Sequence, residues 1–243
     1  MKILLAPSET KTAGGTKPFN LNQLLFPELT PTRQKILHHY MNLLQKKEMK
    51  ELSKMFGLKK ERDILYHIRD IIHEPSMKAI ERYSGVAFDY LDYQNLDTQS
   101  KAYVDQHLIL CSNLFGFLRA DDLIPEYRLK QGALVGESKP EKLYKEESYL
   151  MEAYLKDEDI LDLRAGFYDK FYKPSKSYTT LKFIKEGKVV SHWAKAYRGI
   201  VVRSVAQSGI KSLEEFMNLS IENLSIKEIQ RSKNRTEIIY DIG

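Results

Sequence analysis

The chain has 243 residues, 42% of them hydrophobic and 29% charged, with a formal net charge of +5. That is ordinary for a soluble folded protein, and long enough to bury one substantial core or two small ones. No apolar run approaches the roughly 20 residues of a transmembrane helix, and the single cysteine, Cys111, excludes an internal disulfide and points to a reducing compartment.

In chain order, Ile3-Leu4-Leu5-Ala6 reads as a buried first strand and is too short an apolar stretch for a secretory signal. Gly14-Gly15 and Pro18 mark a loop. The pattern from Thr30 to His73 is helical: Thr30 is the expected N-cap, Pro31 fits the first turn, and Ile36, Tyr40, Leu43 and Leu44 follow at helical spacing. Gly57 breaks this stretch by supplying a left-handed residue between two helices. Around it seven cations, Lys46, Lys47, Lys50, Lys54, Lys59, Lys60 and Arg62, face three acids, Glu48, Glu51 and Glu61. A helix-hairpin-helix module uses such a turn to offer backbone N–H groups and lysines to DNA phosphates. A plain αα-hairpin with a solvated charged face fits the same residues.

Residues 98–107 suggest a helix and 108–111 a buried strand carrying Cys111 as a small hydrophobe. A helix near 140–156 and a strand over 159–163 follow, in a region where twelve Asp and Glu oppose six Lys and Arg. Thr179–Ile184 and Val189–Trp193 alternate around Glu186-Gly187-Lys188 as a hairpin. Helices over 194–207 and 212–218 and a closing strand over Thr236–Tyr240 complete the chain. Short strands interspersed with helices predict an α/β (or α+β) fold, one compact domain over 1–243 with a mixed sheet flanked by helices.

Charge is concentrated in residues 164–211, where eleven cations oppose only Asp169 and Glu186 and eight aromatic residues are interleaved. Clustered cations with aromatic rings suit a polyanion with stackable bases. On a helix over 194–207, at about 100° per residue, Lys195, Arg198 and Arg203 share one face with Gly199, Val202 and Ala206. Small residues between cations would let a phosphate backbone approach closely. An amphipathic surface helix with exposed cations is the plainer reading.

Other residues invite an anion-binding or a structural reading. Arg119 and Asp122 are spaced for an ion pair that fixes a turn, and Arg128 suits either bidentate anion recognition or a clamp. Pro7-Ser8-Glu9-Thr10-Lys11 leaves the carboxyl end of the first strand, the side where open α/β sheets bind ligands. No phosphate-loop, dinucleotide-binding or hydrolase motif accompanies it, and the six histidines lack metal-ligand spacing, so neither cofactor nor metal is expected.

The sequence resembles the bacterial YaaA family of peroxide stress proteins. The resemblance is carried by Pro7-Ser8-Glu9-Thr10-Lys11, Tyr83-Ser84-Gly85, and Leu114-Phe115-Gly116-Phe117-Leu118-Arg119 with Asp122 and Tyr127-Arg128-Leu129. Lys142-Leu143-Tyr144, Leu163 with Tyr168 and Lys170, and Ala194-Lys195 with Arg198-Gly199 and Arg203 add to it. Some relatives have Pro-Ala-Lys-Thr where this chain has Pro-Ser-Glu-Thr, which moves the cation, and beyond about residue 211 the match is poor. The resemblance implies a cytoplasmic protein that limits peroxide damage by keeping unincorporated iron low, and a DNA-binding cleft joined by a helix-hairpin-helix element at Met55-Phe56-Gly57-Leu58.

The combined expectation is a non-enzymatic, sequence-independent DNA binder. Its contacts would come from Lys54, Gly57, Lys59, Lys60, Lys170, Lys195, Arg198, Gly199 and Arg203, with Pro7, Ser8, Lys11, Arg119, Asp122, Tyr127 and Arg128 as anion-binding or structural residues. The alternative is an enzyme acting on a nucleotide or other phosphorylated substrate, with Arg119, Arg128 and Lys11 as anion clamps and Glu9 or Asp122 as base.

Overall fold

The computed structural model describes residues 1–243, the side chains of Ser191 and His192 excepted. The strands are β1 (Lys2–Leu5), β2 (Ser76–Lys78), β3 (Leu108–Ser112), β4 (Gly116–Arg119), β5 (Leu123–Pro125), β6 (Ile160–Asp162), β7 (Tyr178–Lys185), β8 (Lys188–Val189), β9 (Leu224–Ser232) and β10 (Arg235–Ile242). The helices are α1 (Thr30–Lys46), α2 (Met49–Phe56), α3 (Glu61–Tyr66), α4 (Ala79–Arg82) and α5 (Val86–Leu91) in the first half. In the second half come α6 (Thr98–His107), α7 (Pro140–Glu146), α8 (Tyr149–Tyr154), α9 (Ser191–Ser208) and α10 (Leu213–Met217).

The sheet runs β4-β3-β1-β6-β7-β10-β9, with β8 pairing onto the end of β7. β1, β3, β6, β7 and β10 are parallel, and β4 and β9 close the two edges antiparallel. Every residue of β3 is buried, as expected of a parallel strand covered on both faces. β9, at one edge, is largely exposed and carries Lys227, Glu228 and Arg231, charges that discourage edge-to-edge association. The fold is therefore α/β with a mixed sheet.

Two arginines hold the long first loop down. Arg33 donates to the carbonyls of Leu25, Phe26, Phe115 and Phe117, and Arg82 to those of Thr12, Gly14, Pro75 and Ile124. Both are fully buried, and their charge is carried by oriented carbonyl dipoles instead of a carboxylate.

Several boundaries differ from the sequence expectation. The helical stretch from Thr30 ends at Tyr66, not His73, and has an extra break at Lys47, which takes a positive φ of 53°. The helix expected over 140–156 is split into α7 and α8. The hairpin's return strand stops at Val189, because Val190 already serves as N-cap of α9 and Trp193 lies on that helix. The short elements β2, α4 and α5 carry no periodic signal in the sequence.

Candidate functional site

β1 and β6 run in the same direction and end at Leu5 and Asp162, so the loops that follow both leave the carboxyl end of the parallel strands. At that end Ser8, Glu9, Arg128, Tyr168, Lys195 and Arg198 enclose a cleft of about 460 Å³, with Val86, Ala87 and Phe88 of α5 as one wall. A neighbouring cleft of about 480 Å³ is bounded by Asp162, Asp169, Lys182 and Arg235. Lys195 and Arg198, one turn apart on α9, border both clefts.

Neither of these two cations has a hydrogen-bond or ion-pair partner among the described residues. Lys195 is exposed, whereas Arg198 is half-buried, and burial lowers its pKa from the ordinary arginine value. An unpaired guanidinium removed from water gains most from an anionic ligand.

Glu9 and Arg128 form the opposite side. The Glu9 carboxylate accepts from the Gln131 amide at 3.1 Å and from Arg128 Nη2 at 3.3 Å. Arg128 also donates through Nε to the Phe56 carbonyl at 3.0 Å, so this arginine joins the cleft to the end of α2. Gly85 makes the approach of residues 8–10 to α5 possible. Its φ is +102°, and a Cβ there would meet Thr10 Oγ1 at 3.2 Å and Ser8 Oγ at 3.4 Å. Ser8 Oγ shares a hydrogen bond with Thr10 Oγ1 at 2.9 Å and accepts the Thr10 amide at 3.1 Å, an arrangement that closes the loop without activating the hydroxyl.

Lys11 faces inward below this loop. Its Nζ donates to the carbonyls of Ser8 and Glu9 and lies 3.9 Å from the centre of the Tyr127 ring and 5.1 Å from that of Tyr83. Burial, reinforced by the nearby Arg128 charge, pulls its pKa down to about 7. The Tyr127 hydroxyl shares hydrogen bonds with Tyr83 at 2.8 Å and Ser112 at 2.7 Å, and burial raises its pKa. Pro7 lines the cleft beside Ser8.

The remaining residues singled out in the sequence lie elsewhere or have other duties. Arg119 pairs with Asp122 at 2.8 Å, and Asp122 also accepts from the Arg119 and Leu25 amides. Because Arg119 stands opposite Ile109 near the start of β3, this pair sits at the amino end of the parallel strands and cannot clamp a ligand in the cleft. Gly199, Val202 and Ala206 are buried instead of facing a phosphate backbone: a Cβ on Gly199 would overlap the Ala87 carbonyl of α5. Arg203 is paired with Asp92 at 2.9 Å, at the end of α5, and so does not extend the unpaired face.

The α2–α3 hairpin is present, with Gly57 at φ +67°. The Gly57 and Leu58 amides turn back onto the Ser53 carbonyl, and the Lys130 side chain covers Gly57. The Lys59 and Lys60 amides have no partner among the described residues, and Lys54, Lys59 and Lys60 are exposed. Lys170 is exposed, with Nζ 4.8 Å from the Phe167 ring centre. Within the basic segment Arg164 is withdrawn into the interior, locked to Asp162 at 2.7 Å. Cys111 is fully buried and its thiol pKa is raised by burial.

The model of the peroxide stress protein YaaA family matches residues 1–230. The chain belongs to the YaaA family of peroxide stress proteins. An uncharacterized protein of Campylobacter jejuni is 44% identical over all of this chain and 99% of its own length. A UPF0246 protein of Corynebacterium glutamicum is 34% identical over 98% of each chain, and one of Streptomyces coelicolor is 31% identical over 86% of this chain and 84% of its own. The YaaA match runs well past residue 211, beyond which the motif resemblance is poor. Among the described residues no helix is long and apolar enough to cross a membrane.

Of the cleft residues, sequence reasoning missed Gly85, Phe88, Gln131 and the pocket role of Tyr168. The signals are indirect: Tyr83-Ser84-Gly85 with Phe88, and Tyr168, belong to the family resemblance, and a positive-φ glycine at 85 marks a close approach of two segments.

Proposed function

We propose that this cytoplasmic peroxide-stress protein binds DNA through phosphate contacts in the α9 cleft and so helps to limit iron-dependent damage to it. The observation that carries the reading is the pair Lys195 and Arg198, two cations without a hydrogen-bond or ion-pair partner among the described residues, at the seam of two open clefts. The α2–α3 hairpin, tied to the cleft through Arg128, adds Lys54, Lys59 and Lys60 and the Lys59 and Lys60 amides, which have no partner among the described residues. Such binding is mostly to backbone phosphate and falls steeply with salt. Mobility shifts with duplex DNA at about 50 and 200 mM salt test it. Affinity that hardly changes with salt, or that survives K195A/R198A, overturns it.

A second reading is an enzyme acting on a nucleotide or other phosphorylated substrate. It is favoured by the concave shape of the cleft and its place at the carboxyl ends of parallel strands, with Glu9 available as a base. Arg119 and Asp122 drop out of that mechanism because they lie at the other end of the strands, and Lys11 because its Nζ is turned inward onto the Ser8 and Glu9 carbonyls and the Tyr127 ring and does not line the cleft. Turnover of a phosphorylated substrate that disappears in Glu9→Gln would favour this reading over the first.

A further inference from the structure

We infer that the cleft recognises a nucleoside phosphate, not phosphate alone, with Glu9 accepting a hydrogen bond from a sugar hydroxyl or base amino group beside the phosphate held by Lys195 and Arg198. The inference rests on the cleft being a phosphate site and adds what else the ligand must carry.

Glu9 is the reason. Three cations, Arg128, Lys195 and Arg198, share the cleft with this one carboxylate. In a site for bare phosphate a carboxylate at the wall, even one paired with Arg128, works against the cations that hold the ligand. Its presence makes sense when the ligand brings a neutral donor as well as an anion. An ionised carboxylate has about four acceptor sites, and the protein fills two of them, from Gln131 N–H and Arg128 Nη2. The side chain is 39% exposed, so the remaining capacity is open to a ligand.

Size agrees. A volume of about 460 Å³ is that of a small-molecule site and far more than a phosphate group needs. Phe88 and Tyr168 give it apolar walls against which a sugar or base can pack. A paired base holds its amino group within the stack, beyond the reach of a cleft this small, and deoxyribose inside a DNA strand has no free hydroxyl to offer. The recognised unit is therefore unpaired, either a free nucleotide or an unpaired position of a strand.

Calorimetric titration with inorganic phosphate, ribose 5-phosphate and adenosine 5′-monophosphate tests the idea, because Glu9→Gln has effects of opposite sign. In the wild type the nucleotide should bind at least about tenfold tighter than inorganic phosphate. Glu9→Gln should weaken the nucleotide about tenfold while leaving inorganic phosphate unchanged or tighter, since a repulsive charge is gone. Glu9→Asp, which keeps the charge, should restore part of the preference and controls for collapse of the loop. Equal affinity for phosphate and nucleotide, or a variant that tightens both, overturns the inference.

A short single-stranded oligonucleotide without a terminal phosphate separates the two sources. Binding with the same Glu9 dependence assigns an unpaired strand position, and failure to bind beside a bound monophosphate assigns the free nucleotide. Absence of any salt-sensitive DNA binding removes the DNA reading but leaves the Glu9-dependent nucleotide preference standing, so the two fail separately.

Discussion

Gly199 of α9 lies against the backbone of α5 so closely that a β-carbon on it would overlap the carbonyl oxygen of Ala87. In most helix interiors alanine is preferred to glycine by about 1 kcal/mol. Here the obstruction is backbone, which cannot swing aside as a side chain can, so the steric term decides the sign. Gly199→Ala should lower stability by about 1–3 kcal/mol, read as a reduced urea midpoint with an unchanged slope. Because Val86 to Phe88 wall the cleft, the same variant should also weaken whatever the cleft binds.

The three cations of α9 should separate by phenotype. Lys195 and Arg198 have no hydrogen-bond or ion-pair partner among the described residues, so K195A/R198A should leave unfolding stability within about 0.5 kcal/mol of wild type. Its log–log salt slope for DNA should be shallower by about 1.8, near 0.9 for each phosphate no longer neutralised. Arg203→Ala breaks a partly exposed pair with Asp92, which costs at most about 1 kcal/mol, and should leave the slope unchanged. A slope that changes with Arg203 as much as with Lys195 would mean that the Asp92 pair opens to receive DNA.

These assignments also mark how much the sequence could disclose. β1 and β3 were legible because a parallel strand buried on both faces is an apolar run whatever its partners, and β10 through its buried Ile238-Ile239-Tyr240. The angular positions on α9 were legible too, since they follow from helix geometry alone. What the angles left open is which partner meets a face of small residues, and that partner proved to be α5, a six-residue helix too short to leave a periodic trace. The Arg119–Asp122 pair was readable from its spacing, whereas its distance from the cleft follows from the antiparallel pairing of β4 on β3. Glu9 and Arg128 are far apart in the chain and meet only through the packing of the loop after β1 against residues 128–131.

Arg128 should be intolerant of lysine. Its fork serves the Phe56 carbonyl and both the carbonyl and carboxylate of Glu9, and a lysine has no planar fork to divide among them. Arg128→Lys should cost about 1.5–3 kcal/mol, the range for hydrogen bonds to charged groups. It should also release the end of α2, seen as faster amide exchange at Gly57 and Leu58 than in Arg203→Ala. Unchanged exchange at those two amides would show that Lys130, whose amide bonds the Met55 carbonyl, holds the hairpin unaided.

Lys11 sets the pH dependence. Its pKa is about 7 in the folded protein against 10.5 for an ordinary lysine, because burial disfavours the ammonium and Arg128 repels it. Between those values the unfolded chain binds more protons than the native one, so this residue makes stability rise with pH. Its penalty is fully present below about 7, shrinks as pH rises, and is gone above about 10.5. Buried tyrosines such as Tyr83, Tyr127 and Tyr168, whose pKa values are raised, act in the opposite sense once free tyrosine ionises near 10. The clean window therefore lies between about 7 and 9.5. Across it the unfolding free energy of wild type should climb relative to that of Lys11→Met, which keeps the stem over the Tyr127 ring but carries no titratable amine. Parallel curves for the two proteins would mean that Lys11 stays protonated, with the Ser8 and Glu9 carbonyls and the Tyr127 ring fully replacing its lost water.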